Sequence, residues 1–274
     1  MIIAHNIKEL KEAQQSLNGT IGFVPTMGAL HQGHLSLIQQ ARKENDALIV
    51  SIFVNPTQFL EGEDLDSYPR KDEADIKICE LAGVDIVFMP SIDAMYEADE
   101  LCIGAPNIRG YVLEGSKRPG HFDGMLQVVM KLLNVSGATN AYFGKKDAQQ
   151  LSLITQMVRN YFMDVNIIPC EIVRDDNGLA LSSRNVYLKG DEKERALCLS
   201  RSLKRATKLV MAGELSVDVI KAEMLEVLNN ADKVEYVAIV NREFQALKNV
   251  EIGNTIILVV AWVGKPRLID NLWI

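Results

Sequence analysis

Several classes of protein are excluded by what this chain lacks. It has only four cysteines, Cys79, Cys102, Cys170 and Cys198, and no two are close enough to form a zinc knuckle or a Cys-x-x-Cys redox pair. No apolar run approaches the roughly 20 residues that a membrane-spanning helix needs. Positive charge is in deficit, with 29 Lys and Arg against 36 Asp and Glu and a net charge of −7. That balance argues against broad binding of nucleic acid or anionic membranes, so any polyanion handled here must be small and held by a local cluster of cations. Met1-Ile2-Ile3-Ala4-His5 runs into a polar helix rather than an apolar leader. The expectation is a cytoplasmic protein whose cysteines are reduced packing residues, with no nucleic-acid or membrane partner. Internal repeats and low-complexity segments are also absent.

What is present is a chain of 274 residues that is 48% hydrophobic, enough for one or two domains. Helix-spaced apolar residues over 7–17 end at Asn18-Gly19. Ile21 to Val24 then reads as a short buried strand stopped by Pro25 and Gly28, and helical spacing resumes from His34 to about Asn45. Ala47 to Val54 is apolar almost throughout, as expected of a parallel strand covered on both faces. A helix over 72–81, a strand over 84–90, an irregular segment over 91–124 and a helix over 125–133 follow. Next come a strand over 140–143, a helix over 148–161 and a strand over 165–173. Such alternation predicts an α/β fold, a Rossmann-like doubly wound parallel sheet, over residues 1–173. After Arg174 the rhythm changes to two helices, near 191–211 and 216–230, and three strands near 234–240, 255–263 and 267–274. This is the pattern of a smaller C-terminal α+β domain over 174–274.

Four polar clusters fall on the turns after predicted strands. The first is His31-Gln32-Gly33-His34, where a strand passes into a helix. A helix start offers free N–H groups and partial positive charge, a ready site for phosphate. Gly33 lets the backbone approach a ligand, and two imidazoles can add donors that follow developing charge. The same junction could equally be a pair of simple caps. The second cluster, Asn55 and Gln58, supplies amide donors and acceptors that suit a hydroxylated carboxylic acid, or ordinary turn capping. The third, Gly144-Lys145-Lys146-Asp147, opens a helix that carries Gln150, but lacks the upstream glycine of a Walker A loop. The fourth, Ser182-Ser183-Arg184, has two hydroxyls and a permanently charged guanidinium fork.

The order of the histidine turn after the first strand and the Ser-Ser-Arg loop after the last resembles the HIGH/KMSKS nucleotidylyltransferase superfamily. Five ordered segments narrow the resemblance. They are Pro25 to His34, Phe53-Val54-Asn55-Pro56-Thr57-Gln58-Phe59, Tyr68-Pro69-Arg70, Phe143 to Leu151, and Leu181-Ser182-Ser183-Arg184-Asn185. Together they look like the pantoate–β-alanine ligase family, most closely over residues 20–190 and more loosely beyond. The resemblance implies ATP and Mg²⁺, the small-molecule substrates pantoate and β-alanine, and a homodimer. It implies that His31 and His34 contact ATP phosphates, that Lys146 holds the α-phosphate side, and that Ser182, Ser183 and Arg184 close over the β- and γ-phosphates. Gly144 and Asp147 would line the nucleoside pocket, with Met27, Val173 and Leu181 also against the nucleotide. Gln58 and Gln150 would bind pantoate hydroxyl and carboxylate groups beside Asn55, with Met27 and Phe53 on its methyls. Asp75 would sit near the Mg²⁺, and Arg118 would take a phosphate-side basic position. The chain departs from the family pattern at Leu181 and Thr57, where Met is frequent. It departs again at Ala74, often acidic, and at Tyr96-Glu97-Ala98-Asp99, which lacks Pro-Gly character.

The residue types fit that chemistry independently. A carboxylate must be activated before it can acylate an amine. Activation by attack on a phosphate needs positioning and positive charge rather than a general base, since the nucleophile is already ionised. The adenylate so formed must then be shielded from water, which predicts closure by the 62–70 loop or by the second domain. Another nucleotidylyltransferase of the same fold would share the histidine turn but not the acid-binding set. A catalytically inactive relative would have no structural need for so many charged contacts. A tRNA synthetase is excluded by the acidic chain and the lack of room for an anticodon domain.

Overall fold

The computed structural model describes residues 1–274, and contacts divide them into two compact units. The first, Met1–Lys145 with Gln149–Glu171, is built on six parallel strands. These are β1 (Ile2–Ala4), β2 (Ile21–Thr26), β3 (Ala47–Ile52), β4 (Ile86–Phe88), β5 (Asn140–Gly144) and β6 (Asn166–Cys170), in the spatial order β1-β4-β3-β2-β5-β6. From β2 onward this is a doubly wound sheet whose direction of winding reverses between β2 and β5. Ligands bind at such a switch point, outside the carboxyl ends of the strands.

Every residue of β3 is buried, as its unbroken apolar run requires at the centre of a covered sheet. Alternate residues Val24, Leu48, Val50 and Val87 pack against Ile38 and Ala41 of α2 (Gln32–Glu44) and Cys79 of α3 (Asp72–Leu81). Each fully buried aliphatic side chain of this kind stabilises the fold by about 1.5–3 kcal/mol. On the other side lie α1 (Ile7–Gln14) and α6 (His121–Ser136), which touch one another. Between β4 and α6 the chain forms only two one-turn helices, α4 (Ile92–Met95) and α5 (Glu114–Lys117), so the expected irregular segment is largely irregular.

The structure differs from expectation at several elements, among them β2, α6 and β1. Strand β2 runs through Pro25 to Thr26. Odd-numbered residues of β2 point their backbone groups toward β5, as the Ile21 carbonyl does in accepting from Thr139, and pairing with β5 ends at Phe23. Pro25 therefore lacks its N–H where no ladder bond is owed. Helix α6 begins four positions before the expected Met125, after Gly120 in the left-handed region at φ 85°. Strand β1 lies at the sheet edge beside β4 and has no counterpart in the sequence reading.

The second unit comprises Ile172–Ile274 with Lys146–Ala148. Strands β7 (Lys233–Asn241), β8 (Thr255–Trp262) and β9 (Arg267–Trp273) form an antiparallel meander. Helices α8 (Glu192–Met211) and α9 (Val217–Val227) bury Leu199, Leu203, Ile220 and Met224 with Ile257, Val259 and Ala261 in a separate core. The sequence boundary at 173/174 falls two residues after the observed change at Glu171/Ile172. It also leaves Lys146–Ala148, at the start of α7 (Ala148–Asn160), with the wrong unit.

Candidate active site

The histidine turn leaves the carboxyl end of β2. The Thr26 hydroxyl donates to the Ser51 carbonyl at 2.7 Å and accepts from the Gly28 amide at 3.3 Å. Gly28 and Ala29 then take positive φ values of 82° and 49°, a tight reversal that costs the alanine strain. Asp75, on α3, holds that reversal. Its two carboxylate oxygens accept the amides of Ala29 and Leu30 at 2.7 and 2.8 Å. His31 then caps α2, its Nδ1 accepting from the Gly33 amide at 3.0 Å, while His34 Nδ1 faces the His31 amide at 3.4 Å. Both Nδ1 atoms are acceptors, so in the neutral rings the proton of each histidine sits on Nε2. The rings pack with centroids 4.1 Å apart. The turn thus combines a helix N-terminus with two imidazoles of defined tautomer.

The next turn leaves the neighbouring strand β3. Asn55 is 1% exposed. Its Nδ2 donates to Gln58 Oε1 at 3.0 Å and to the Gly124 carbonyl at 3.2 Å. Its Oδ1 accepts from the Tyr96 hydroxyl at 2.6 Å and from Thr57 at 3.1 Å. All four hydrogen-bonding positions of the amide are used within the fold, and one of them orients Gln58. With Oε1 engaged, Gln58 presents Nε2 as its outward group, 3.6 Å from the Met27 sulfur. Two residues expected to bind one acid, Met27 and Gln58, therefore meet, and Phe53 lies buried with its ring 6.4 Å from that of Tyr96.

Strand β5 is the other neighbour of β2, so its last residue, Gly144, and Gln150 on α7 follow the third of three adjacent carboxyl ends. Gln149 beside it is buried and ties down the irregular segment. Its side chain donates to the carbonyls of Arg109 and Val112 and accepts the Glu114 amide.

In the second unit the carbonyl of Lys146 accepts from Asn271 on β9 at 2.8 Å, and Asp147 is exposed. The Ser-Ser-Arg loop closes a small hairpin in which the Leu181 amide donates to the Val173 carbonyl. The Arg174 guanidinium forks onto the buried Asp270 carboxylate at 2.6 and 2.8 Å, anchoring that hairpin to the meander. The Ser182 hydroxyl accepts the Arg184 amide at 3.2 Å and caps the 3-10 turn Ser183–Tyr187.

Two expected roles do not fit. Asp75 is 1% exposed with both oxygens on backbone amides, and burial raises its carboxyl above the usual aspartate range despite those two bonds. No three His, Cys, Asp or Glu side chains gather as a metal site anywhere in the chain. Asp75 is a brace for the histidine turn and a poor Mg²⁺ ligand. Arg118 spends its guanidinium on Glu63 and His121, not on a phosphate-side opening. The cysteines are free, and burial pushes the thiols of Cys79, Cys170 and Cys198 up to about 12, 12 and 11. Cys102, expected to be packed, is exposed. Sequence reasoning missed Tyr96, His121, Gly124 and Gln149. Of these, only the His121-Phe122 pair after Arg118 carried any signal.

A doubly wound sheet with a histidine-capped helix at its switch point, next to an amide-lined acid turn, defines an enzyme that brings a nucleotide to a small carboxylic acid. The comparisons carry this further. A family profile described as Pantoate-beta-alanine ligase matches residues 2–273. The pantothenate synthetase of Aliarcobacter butzleri is 58% identical over 274 residues and that of Sulfurimonas denitrificans 56%, each alignment covering 100% of both chains. The crystal structure of pantothenate synthetase from Thermus thermophilus superposes with a TM-score of 0.94 at 38% identity, covering 99% of each chain. The enzyme from Francisella tularensis, solved with β-γ ATP and β-alanine, gives 0.83 at 39% identity, covering 100% of this chain and 97% of that one. The chain belongs to the pantoate–β-alanine ligase family.

Proposed function

We propose that the protein joins pantoate to β-alanine at the expense of ATP, through a pantoyl-adenylate intermediate. The pantoate carboxylate attacks the α-phosphate and pyrophosphate leaves. The β-alanine amine then attacks the acyl carbon, and AMP leaves as pantothenate forms. The observation that carries this reading is the adjacency of the histidine turn and the Gln58 turn at neighbouring strand ends, in a member of this family.

Each residue acts within that scheme by its chemistry. His31 and His34 donate from Nε2 to phosphate oxygens, and the start of α2 adds its partial charge. Lys146 neutralises the α-phosphate side as charge builds there, and Ser182, Ser183 and Arg184 take the β- and γ-phosphates. Gly144, Asp147, Val173 and Leu181 border the nucleoside. Gln58 and Gln150 hold the pantoate oxygens, with Met27 and Phe53 against its methyls. Mg²⁺, when bound with the nucleotide, would supply further positive charge beside the phosphates that His31, His34, Lys146 and Arg184 contact. The family relationship supports a homodimer. The acidic composition supports small-molecule partners, and no helix is long and apolar enough to cross a membrane.

Isotope exchange between pyrophosphate and ATP tests the proposal. Exchange should require pantoate and proceed without β-alanine, and adding β-alanine should release AMP. Exchange in the absence of pantoate, or no AMP from the complete mixture, would sink it.

A further inference from the structure

The scheme above uses two of the four histidines in the chain, and a third lies buried beneath the acid turn. His121 opens α6 and is 7% exposed. Its Nδ1 stands 2.7 Å from the carbonyl oxygen of Gln58, and its Nε2 stands 2.9 Å from Nη1 of Arg118. A carbonyl oxygen only accepts and a guanidinium only donates. The ring must therefore carry its single proton on Nδ1, donate to Gln58 and accept from Arg118. This tautomer is the opposite of that shown by His31 and His34.

Arg118 is itself immobilised. Its Nε and Nη2 donate to the two carboxylate oxygens of Glu63, each at 2.6 Å, and Glu63 accepts the Leu60 amide at 3.1 Å. The groups facing the ring are thus Arg118, Glu63, Glu114 and the Gln58 carbonyl. Burial and the Arg118 charge push the imidazole down to about 4, so it stays neutral at physiological pH. The same helix start supports the turn a second time. A Cβ on Gly124 would stand 2.2 Å from the Thr57 carbonyl oxygen, so the two backbones are in direct contact. Gln58 is consequently held at both ends, by Asn55 at its side-chain oxygen and by His121 at its peptide oxygen.

We propose that His121 is a positioning residue for the ligase reaction: fixed in its Nδ1–H form by the Arg118–Glu63 pair, it holds the Gln58 peptide and so aims the Gln58 amide at pantoate. The inference rests on the reading of Gln58 as a pantoate ligand. An amide donor held at two points recognises the acid's oxygens without having to be ordered on binding.

Steady-state kinetics and side-chain NMR of the full-length enzyme test this. His121→Phe removes the close donor and leaves the Gln58 carbonyl only the long 3.5 Å bond from Arg118 Nη2, and pantoate KM should rise about tenfold, the equivalent of one lost hydrogen bond of about 1.4 kcal/mol, with ATP KM within twofold. His121→Asn places an N–H near the former Nδ1 and should recover most of that loss. In ¹⁵N spectra of the wild-type histidines, the signal of a ring held as a neutral Nδ1–H tautomer across pH 6–8 should vanish in His121→Phe, which separates it from exposed His5, whose Nδ1 faces the Met89 carbonyl at 3.3 Å. Gln58→Ala serves as the control for the underlying reading. If Gln58→Ala raises pantoate KM and His121→Phe does not, the positioning role is wrong and the acid site stands. If Gln58→Ala leaves pantoate KM unchanged, both fail. A uniform rise in KM for all three substrates, or an Nε2–H tautomer for His121 in the wild type, overturns the proposal even where a variant folds poorly.

Discussion

Asp75 reaches across 46 positions to accept the Ala29 amide and hold the left-handed kink that aims the histidine turn. Its burial separates this role from that of a metal ligand, and a single substitution distinguishes the two. Asp75→Asn replaces one acceptor oxygen by an NH₂ that must face the N–H of Ala29 or Leu30. A buried donor left without an acceptor costs about 1–3 kcal/mol. The denaturation midpoint should fall and adenylate formation should slow, while the Mg²⁺ concentration dependence stays that of the wild type. A shifted Mg²⁺ dependence at full stability would restore Asp75 as a ligand. Residue types at strand ends were legible in the sequence, as His31, His34 and Gln58 demonstrate. The residues that hold them were not, because Asp75 and His121 act through contacts 46 and 63 positions away, and neither contact leaves a local pattern.

At the scale of elements, hydrophobic periodicity located most helices and strands, and it failed where an element faces backbone instead of core. The first turn of α6 is such a place. His121 and Gly124 lie against the 56–58 turn, and Phe122 is the one buried apolar side chain that marks the helix before Met125. Strand β1 failed for another reason: three residues at a sheet edge, with Ile2 46% exposed, are too few to display a period. The 59–68 loop is fastened by Glu63, and this fastening is pH-dependent. Burial alone would raise the Glu63 carboxyl, but the Arg118 hydrogen bond and charge, with the Leu60 amide, outweigh it and hold it below the usual range. Folded Glu63 thus binds its proton more weakly than unfolded Glu63. Its contribution is complete above the ordinary glutamate pKa and is lost as pH falls through the lower folded value. His121 acts in the same sense between its ordinary 6.5 and about 4, because the unfolded state takes up the proton first. Thermal stability should therefore decline as pH is lowered from 6.5. Glu63→Gln should flatten the lowest part of that decline and speed exchange of the Leu60 amide. Curves that stay parallel for wild type and variant would show that the Glu63 pair contributes nothing to the acid limb.

At the scale of the molecule, the alternation of strand and helix followed by a change of rhythm was enough to forecast a parallel sheet and a smaller α+β unit, each with its own core. It could not forecast that Lys146 belongs with the second. That assignment depends on Asn271, 125 positions away on β9, whose Nδ2 donates to the Lys146 carbonyl while its Oδ1 accepts from the Trp273 indole. If Lys146 neutralises the α-phosphate, the backbone that carries it must be fixed before charge develops, since a preorganised cation needs no reorganisation during reaction. Asn271 is 2% exposed, so water does not readily replace its bond. Asn271→Asp keeps an acceptor for the indole and replaces the donor to Lys146 with a carboxylate oxygen that faces the Lys146 carbonyl. Single-turnover adenylate formation should slow about tenfold, which corresponds to about 1.4 kcal/mol of lost transition-state stabilisation. Pantoate KM should remain within twofold, because Gln58 is held by other residues. Asn271→Ala removes the same donor without placing a charge there and should show the same rate loss, while the Trp273 N–H also loses its partner. An Asn271→Asp enzyme with wild-type single-turnover rates would mean that the Asn271 bond does not place Lys146 and that β9 only packs.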